Sequence, residues 1–163
     1  MSLRHAVYPG SFDPFTLGHL DIARRARRLF DRVTVLVAAA GKAGWLDADE
    51  RVELVRAAVA DLEGCDVAPF AGLLVDEVRR RGACAVVRGI RTAGDYEHEW
   101  SLAQVNSILA PEFETVCLLS RPDLAPVSSS LVREVARHGG ALDGLVPAPV
   151  ARRLAERGDR RGN

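Results

Sequence analysis

The chain has a single lysine, Lys42, three cysteines, few aromatic residues (6%) and no surplus of either charge, with 22 Lys plus Arg against 22 Asp plus Glu. Each shortage excludes something. Balanced charge removes the global positive field that holds nucleic acid through its phosphates, so a nucleic-acid partner is disfavoured and any anion must be gripped locally. Cys65, Cys84 and Cys117 are odd in number, far apart and each set in an apolar run. They read as buried free thiols in a reducing compartment, with no disulfide or metal role. No apolar stretch approaches the roughly 18 residues of a membrane helix, and Met1 to His5 has no signal-peptide core, so a cytoplasmic protein is expected. Repeats, low-complexity tracts and linkers are also lacking. So are a Gly-x-Gly-x-x-Gly fingerprint, a P-loop lysine and a triad-like pairing of Ser or Cys with His.

What is present is an alternation of short β-rich runs with amphipathic helical patterns. With 163 residues, 48% of them apolar, the expectation is one domain over residues 1–157 and a flexible tail over 158–163. Strands are predicted at Leu3 to Tyr8, Val33 to Ala39, Asp66 to Phe70, Cys84 to Val87 and Thr115 to Leu119. Helices are predicted from Gly18 to Phe30, from Asp47 (with Glu50 completing a capping box) to Leu62, from Leu73 to Arg81, from Tyr96 to Leu109, from Ser128 to Gly139, and onward from Pro147. Arg24, Arg25, Arg27 and Arg28 on the first helix read as a solvated face. The fold class is therefore α/β, a doubly wound, five-stranded parallel sheet whose ligand lies beyond the carboxyl ends of the strands.

Four segments just after strands carry the chemistry. In Tyr8-Pro9-Gly10-Ser11-Phe12-Asp13-Pro14-Phe15-Thr16-Leu17-Gly18-His19, two glycines allow close backbone approach, Ser11 offers a hydroxyl, and His19 falls in the first turn of a helix, where an anion is favoured. Lys42 follows the second strand and could hold a phosphate, or stand as an ordinary exposed lysine. Arg88 and Arg91, either side of Gly89 and Ile90, could clamp phosphate oxygens or form surface ion pairs. Ser128, Ser129 and Ser130 open a helix with Arg133 one turn on; one serine serves as a cap, and three together offer donors to a triphosphate.

Pro9-Gly10-Ser11-Phe12-Asp13-Pro14 followed by Thr16-x-Gly18-His19 resembles the signature of the nucleotidylyltransferase superfamily, and within it the bacterial phosphopantetheine adenylyltransferases. The strings Arg88-Gly89-Ile90-Arg91, Asp95-Tyr96-Glu97-His98-Glu99 and Val127-Ser128-Ser129-Ser130 are similar to further motifs of that family. Two stretches depart from its pattern: Ala43-Gly44-Trp45-Leu46 replaces a family pattern nearer Pro-Met-Phe, and Leu124-Ala125-Pro126 stands where aromatic-Ser-Phe is common. The resemblance implies a Rossmann-like nucleotidylyltransferase fold and transfer of an adenylyl group from ATP to 4'-phosphopantetheine. It implies that Ser11, Phe12, His19, Gly89, Ile90, Arg91, Glu99, Leu124, Ala125, Pro126, Val127, Ser128, Ser129 and Ser130 bind ATP. Ser11, Lys42, Leu74 and Arg88 are implied to bind the acceptor, with His19 and Lys42 catalytic; core packing is the competing role for Leu74. Mg²⁺ carried by ATP, no metal held by protein side chains, and a homohexamer are expected. The competing functions are a nucleotidylyltransferase acting on nicotinate mononucleotide or a glycerol phosphate, and a non-catalytic ATP sensor.

Overall fold

The computed structural model describes residues 3–39 and 44–159. Along the chain lie β1 (His5–Gly10), α1 (Leu17–Leu29), β2 (Arg32–Ala38), α2 (Ala48–Ala58), β3 (Cys65–Phe70), α3 (Leu74–Arg81), β4 (Ala85–Ile90), α4 (Ala93–Leu109), β5 (Glu114–Leu119), α5 (Ser129–Arg137) and α6 (Ala148–Asp159). The strand pairings are parallel and the sheet order is β3-β2-β1-β4-β5. This is the expected doubly wound arrangement, with the order reversing between β1 and β4.

The central strands are apolar on both faces, as a sheet under two helical layers requires. Successive side chains point to opposite sides. Ala6, Tyr8, Val33 and Val35 therefore join one core with Ala23 of α1 and Val55 of α2, while Val7 and Leu36 join a second with Val75 and Val78 of α3.

Element boundaries moved where local chemistry outweighs apolar periodicity. Leu3 is 76% exposed, and β1 starts at His5 and runs through Pro9 to Gly10. Proline suits this position because β1 and β4 pair only at Ala6↔Ala85 and Val7↔Val86. The Pro9 carbonyl takes a hydrogen bond from Arg88 on β4, so the side on which its N–H is missing is the side where the ladder has already ended. At the start of α4, Thr92 and Asp95 cap each other reciprocally, which adds a turn before Tyr96. The box expected at Asp47 is only half formed: Asp47 accepts from Glu50 N–H at 2.8 Å, but the Glu50 carboxylate reaches instead to Arg153 and Arg157 of α6. Helix α2 stops at Ala58, short of Leu62. Helix α6 continues to Asp159, beyond the expected boundary at 157, and residues 160–163 of the expected tail lie outside the described residues.

Two further expectations are corrected. Cys84 and Cys117 are exposed and only Cys65 is half-buried, because Cys117 lies on the edge strand β5, whose outer side α4 leaves open. Burial pushes the Cys65 thiol up to about 11. The α1 arginines are more than a solvated face: Arg25 donates to Leu119 O at 2.7 Å, Arg27 to Glu63 O at 2.7 Å, and Arg24 pairs with Asp61.

Candidate active site

Where β1 and β4 part, their carboxyl ends open into a cavity of about 450 Å³. Its floor and one wall are the segment from Tyr8 to His19. Gly10 is obligatory there, since a Cβ would sit 2.7 Å from the Phe12 ring. Phe12 has a positive φ of 49° and is 3% exposed. Its ring packs edge-on against Tyr8, Phe15 and His19, with centroids 5.3, 5.3 and 5.1 Å away. Phe12 thus supports the imidazole from beneath; its ring is not an open stacking surface.

The segment is held at several carbonyls: Pro9 by Arg88, Ser11 by Arg51, Asp13 by Arg133 and Pro14 by the Ser129 hydroxyl. The Asp13 carboxylate in turn accepts from Trp45 N–H at 2.7 Å and Leu46 N–H at 2.8 Å. Such a frame preorganises the donors that the segment presents to the cavity.

Thr16 caps α1, accepting from His19 N–H at 3.3 Å, and His19 Nδ1 accepts the Thr16 N–H in return at 3.0 Å. An accepting Nδ1 carries no proton, so the neutral ring is the Nε2–H tautomer and presents a donor. Burial, assisted by the positive charge of Arg91, lowers the His19 pKa to about 4. The ring is therefore a neutral hydrogen-bond donor at neutral pH. The histidine at the third position of the capping box is a signal the sequence carried, because Thr16-x-x-His19 has the spacing of Thr-x-x-Glu.

Three helices aim their N-termini at the cavity, with Gly18 of α1, Gly94 of α4 and Ser129 and Ser130 of α5 among its lining residues. In α1 the Leu17 N–H is taken by Leu145 O, which leaves Gly18 N–H without a partner among the described residues. Its missing side chain leaves room for a ligand. Converging N–H groups and dipoles make an anion site without any surplus of charge in the chain as a whole.

The expected site residues are brought together unevenly. Ser11, Phe12, His19, Arg88, Gly89, Arg91, Glu99 and Val127 to Ser130 line the cavity. Arg88, Gly89 and Ile90 belong to β4 itself and do not form a turn after it; a Cβ on Gly89 would lie 3.1 Å from Ile22, so the glycine serves strand-to-helix approach. Arg88 is engaged with Glu99 and Pro9 O, with its Nη2 uncommitted among the described residues. Arg91 is paired with Asp95 at 3.2 Å. The serine hydroxyls are engaged differently: Ser129 donates to Pro14 O, whereas Ser128 accepts the Leu131 N–H as cap of α5 and Ser130 accepts from Arg133, each keeping its own O–H as a donor. What α5 offers an anion is its backbone N–H groups together with the O–H donors of Ser128 and Ser130.

Leu74 packs beside the core of Val7 and Val75 and is not a cavity residue. Ile90 is buried beneath the cavity, and Leu124, Ala125 and Pro126 form a turn outside its wall, with Leu124 O passing close to Gly18. Lys42 lies outside the described residues. Residues missed in the sequence include Asp95 and His98, which share one face of α4 with Glu99 at spacings of three and four, and Ser120 just after β5.

A family model described as cytidylyltransferase-like matches residues 7–135. A phosphopantetheine adenylyltransferase of Moorella thermoacetica is 48% identical over 156 residues, covering 95% of this chain and 98% of the relative. The chain belongs to this adenylyltransferase family. The phosphopantetheine adenylyltransferase of Thioalkalivibrio sulfidiphilus is 50% identical, covering 93% of this chain and 96% of the relative. Among solved structures, a putative nicotinate-nucleotide adenylyltransferase of Vibrio parahaemolyticus superposes with a TM-score of 0.76 at 17% identity, covering 99% and 98% of the two chains. A bifunctional NMN adenylyltransferase/ADP ribose pyrophosphatase of Francisella tularensis gives 0.73 at 16%, covering 97% of this chain and 50% of the other. At such identity the likeness is one of fold, and family membership rests on the sequence relatives.

Proposed function

We propose that this chain transfers the adenylyl group of ATP to the phosphate of 4'-phosphopantetheine, releasing pyrophosphate and forming dephospho-coenzyme A. Alongside family membership, the observation that carries this reading is the convergence of three helix N-termini and the His19 Nε2–H donor on one cavity at the switch point of the sheet. The acceptor's phosphate oxygen attacks the α-phosphorus in line and the bond from that phosphorus to the α,β-bridging oxygen breaks, this oxygen leaving with pyrophosphate and no enzyme-bound intermediate forming. His19 donates from Nε2 to a non-bridging α-phosphate oxygen as charge grows there. Arg91 and the N–H groups of Ser129 and Ser130 hold the β- and γ-phosphates. The Nη2 edge of Arg88 holds the acceptor, and Lys42 is assigned to the acceptor phosphate from sequence.

Mg²⁺ is assigned to the triphosphate oxygens. Asp95 and Glu99, the cavity's acidic residues, are both engaged by arginines, so phosphate and water are the natural ligands for a hard cation of this kind. When bound, the ion would neutralise charge on the departing pyrophosphate.

Self-association, expected as a homohexamer, is supported by α4, whose 17 residues include none that is buried. Tyr96, Trp100, Val105 and Ile108 stand exposed beside the edge strand β5. No helix among the described residues is long and apolar enough to cross a membrane, and a cytoplasmic location is proposed. The test is pyrophosphate release with ATP and 4'-phosphopantetheine, run beside nicotinate mononucleotide and glycerol phosphate. Release with the first acceptor alone is expected. Turnover with another acceptor in its place would overturn the acceptor assignment, and ATP binding without turnover on any of them would leave a sensor.

A further inference from the structure

Arg51 lies on α2, outside the cavity, and no step of the proposed reaction uses it. It is charged yet only 8% exposed, and it makes no ion pair among the described residues. Burying a guanidinium without a carboxylate costs several kcal/mol unless its donors are satisfied, and arginine cannot shed its proton. Here carbonyl oxygens satisfy it. Nη1 donates to Ser11 O at 2.6 Å and to Ala38 O at 2.9 Å, and Nε donates to Asp47 O at 3.3 Å.

The two Nη1 partners belong to different functional halves. Ser11 sits in the phosphate-facing segment, next to Phe12 with its left-handed backbone. Ala38 ends β2 and leads into the connection to α2. At the far end of that connection, Trp45 and Leu46 give their N–H groups to the two oxygens of Asp13, two residues beyond Ser11. Both ends of the β2–α2 connection are thus latched to one short stretch, 11–13, by one buried cation and one carboxylate.

We propose that Arg51 and Asp13 are paired positioning residues that register the β2–α2 connection on the phosphate-facing segment, so that acceptor and ATP meet at a set distance. Neither residue touches the reacting atoms. In-line transfer depends steeply on that distance, and a misplacement of about 1 Å costs on the order of 100-fold in rate. The proposal rests on the adenylyl-transfer reading above, whose own failure would appear separately, as a wild-type enzyme that releases no pyrophosphate with 4'-phosphopantetheine.

The test compares Arg51→Lys, Asp13→Asn and the double variant in the full chain. It measures kcat and both KM values by pyrophosphate release, ATP dissociation constants by calorimetry, and melting temperatures. Lysine keeps the charge but lacks the second donor nitrogen, Nε, that holds Asp47 O while Nη1 bridges Ser11 O and Ala38 O, and asparagine keeps the shape but offers one acceptor oxygen in place of two. The expected result is a loss in kcat of about ten- to a hundredfold in each single variant, with ATP affinity within about threefold of wild type. The double variant should be little worse than the worse single, since a register once lost cannot be lost again. Unchanged kcat in folded variants, a parallel loss of ATP affinity, or fully additive losses would each overturn the proposal. If Arg51→Lys does not fold, Asp13→Asn decides by its kcat and ATP affinity alone.

Discussion

The imidazole of His19 shows how much of the site's chemistry is set by single hydrogen bonds. Because Nδ1 accepts from Thr16, protonation would break the cap as well as place a charge in a buried spot. The folded-state pKa of about 4 lies below the usual 6.5. Between those values the unfolded chain holds a proton that the folded chain does not, so stability rises with pH. The contribution, about 3 kcal/mol, is fully present above pH 6.5 and lost as the pH falls through 4. His5 is shifted the same way, chiefly by burial, and adds to the slope. Urea melts between pH 4.5 and 7 should show this rise, and His19→Asn should flatten it. For catalysis, His19→Ala should lower kcat on the order of 100-fold or more while ATP still binds, measured by steady-state pyrophosphate release beside a direct ATP titration. Near-normal turnover would contradict the role given to Nε2–H. Gly10→Ala should also impair turnover without touching a phosphate, because its methyl would displace the Phe12 ring on which His19 rests.

At the scale of elements, the helix starts matter more than the helices. Ser128 caps α5 through Leu131 N–H at 3.1 Å, and Ser128→Ala should cost about 1 kcal/mol in thermal unfolding. It should also weaken ATP binding, because fraying the first turn of α5 disturbs the N–H groups of Ser129 and Ser130. If the hydroxyls themselves gripped the triphosphate, removing the cap would matter no more than removing its neighbours. The strands and helices were readable from periodicity in number and order, since apolar spacing records burial directly. Their ends were not. Pro9 and Gly10 look like a turn in one dimension, yet they belong to β1 because they stay paired with Leu36 and Val37 of β2, and β4 has already parted on the side where proline lacks its N–H. Arg88 to Ile90 looked like a loop and are strand. The extra turn of α4 depended on a reciprocal Thr92–Asp95 cap that lies upstream of any apolar signal.

Across the whole molecule, α4 is divided between two tasks. One face supplies Asp95, His98 and Glu99 to the cavity, and the other leaves Trp100, Val105 and Ile108 in water. Large apolar side chains grouped in water mark an interaction site. Val105→Asp should therefore shift the protein towards smaller species in light scattering coupled to size exclusion, without lowering its content of folded helix. A variant that keeps the wild-type mass would rule out this face as the contact in the self-association proposed above.

The order of motifs, the alternation of strand and helix, and the residue types at the phosphate end were written in the amino-acid string, because burial period and motif spacing are properties of neighbours along it. Tertiary structure alone decided which donors remain available. It spent the Ser129 hydroxyl on Pro14 O, paired Arg88 with Glu99 and set the tautomer of His19. It left Leu74 on a core and out of the cavity, and joined Arg51 to Ser11 across 40 positions of sequence. A hydrogen bond depends on distance and direction in space, and no one-dimensional spacing records who reaches a given carbonyl first.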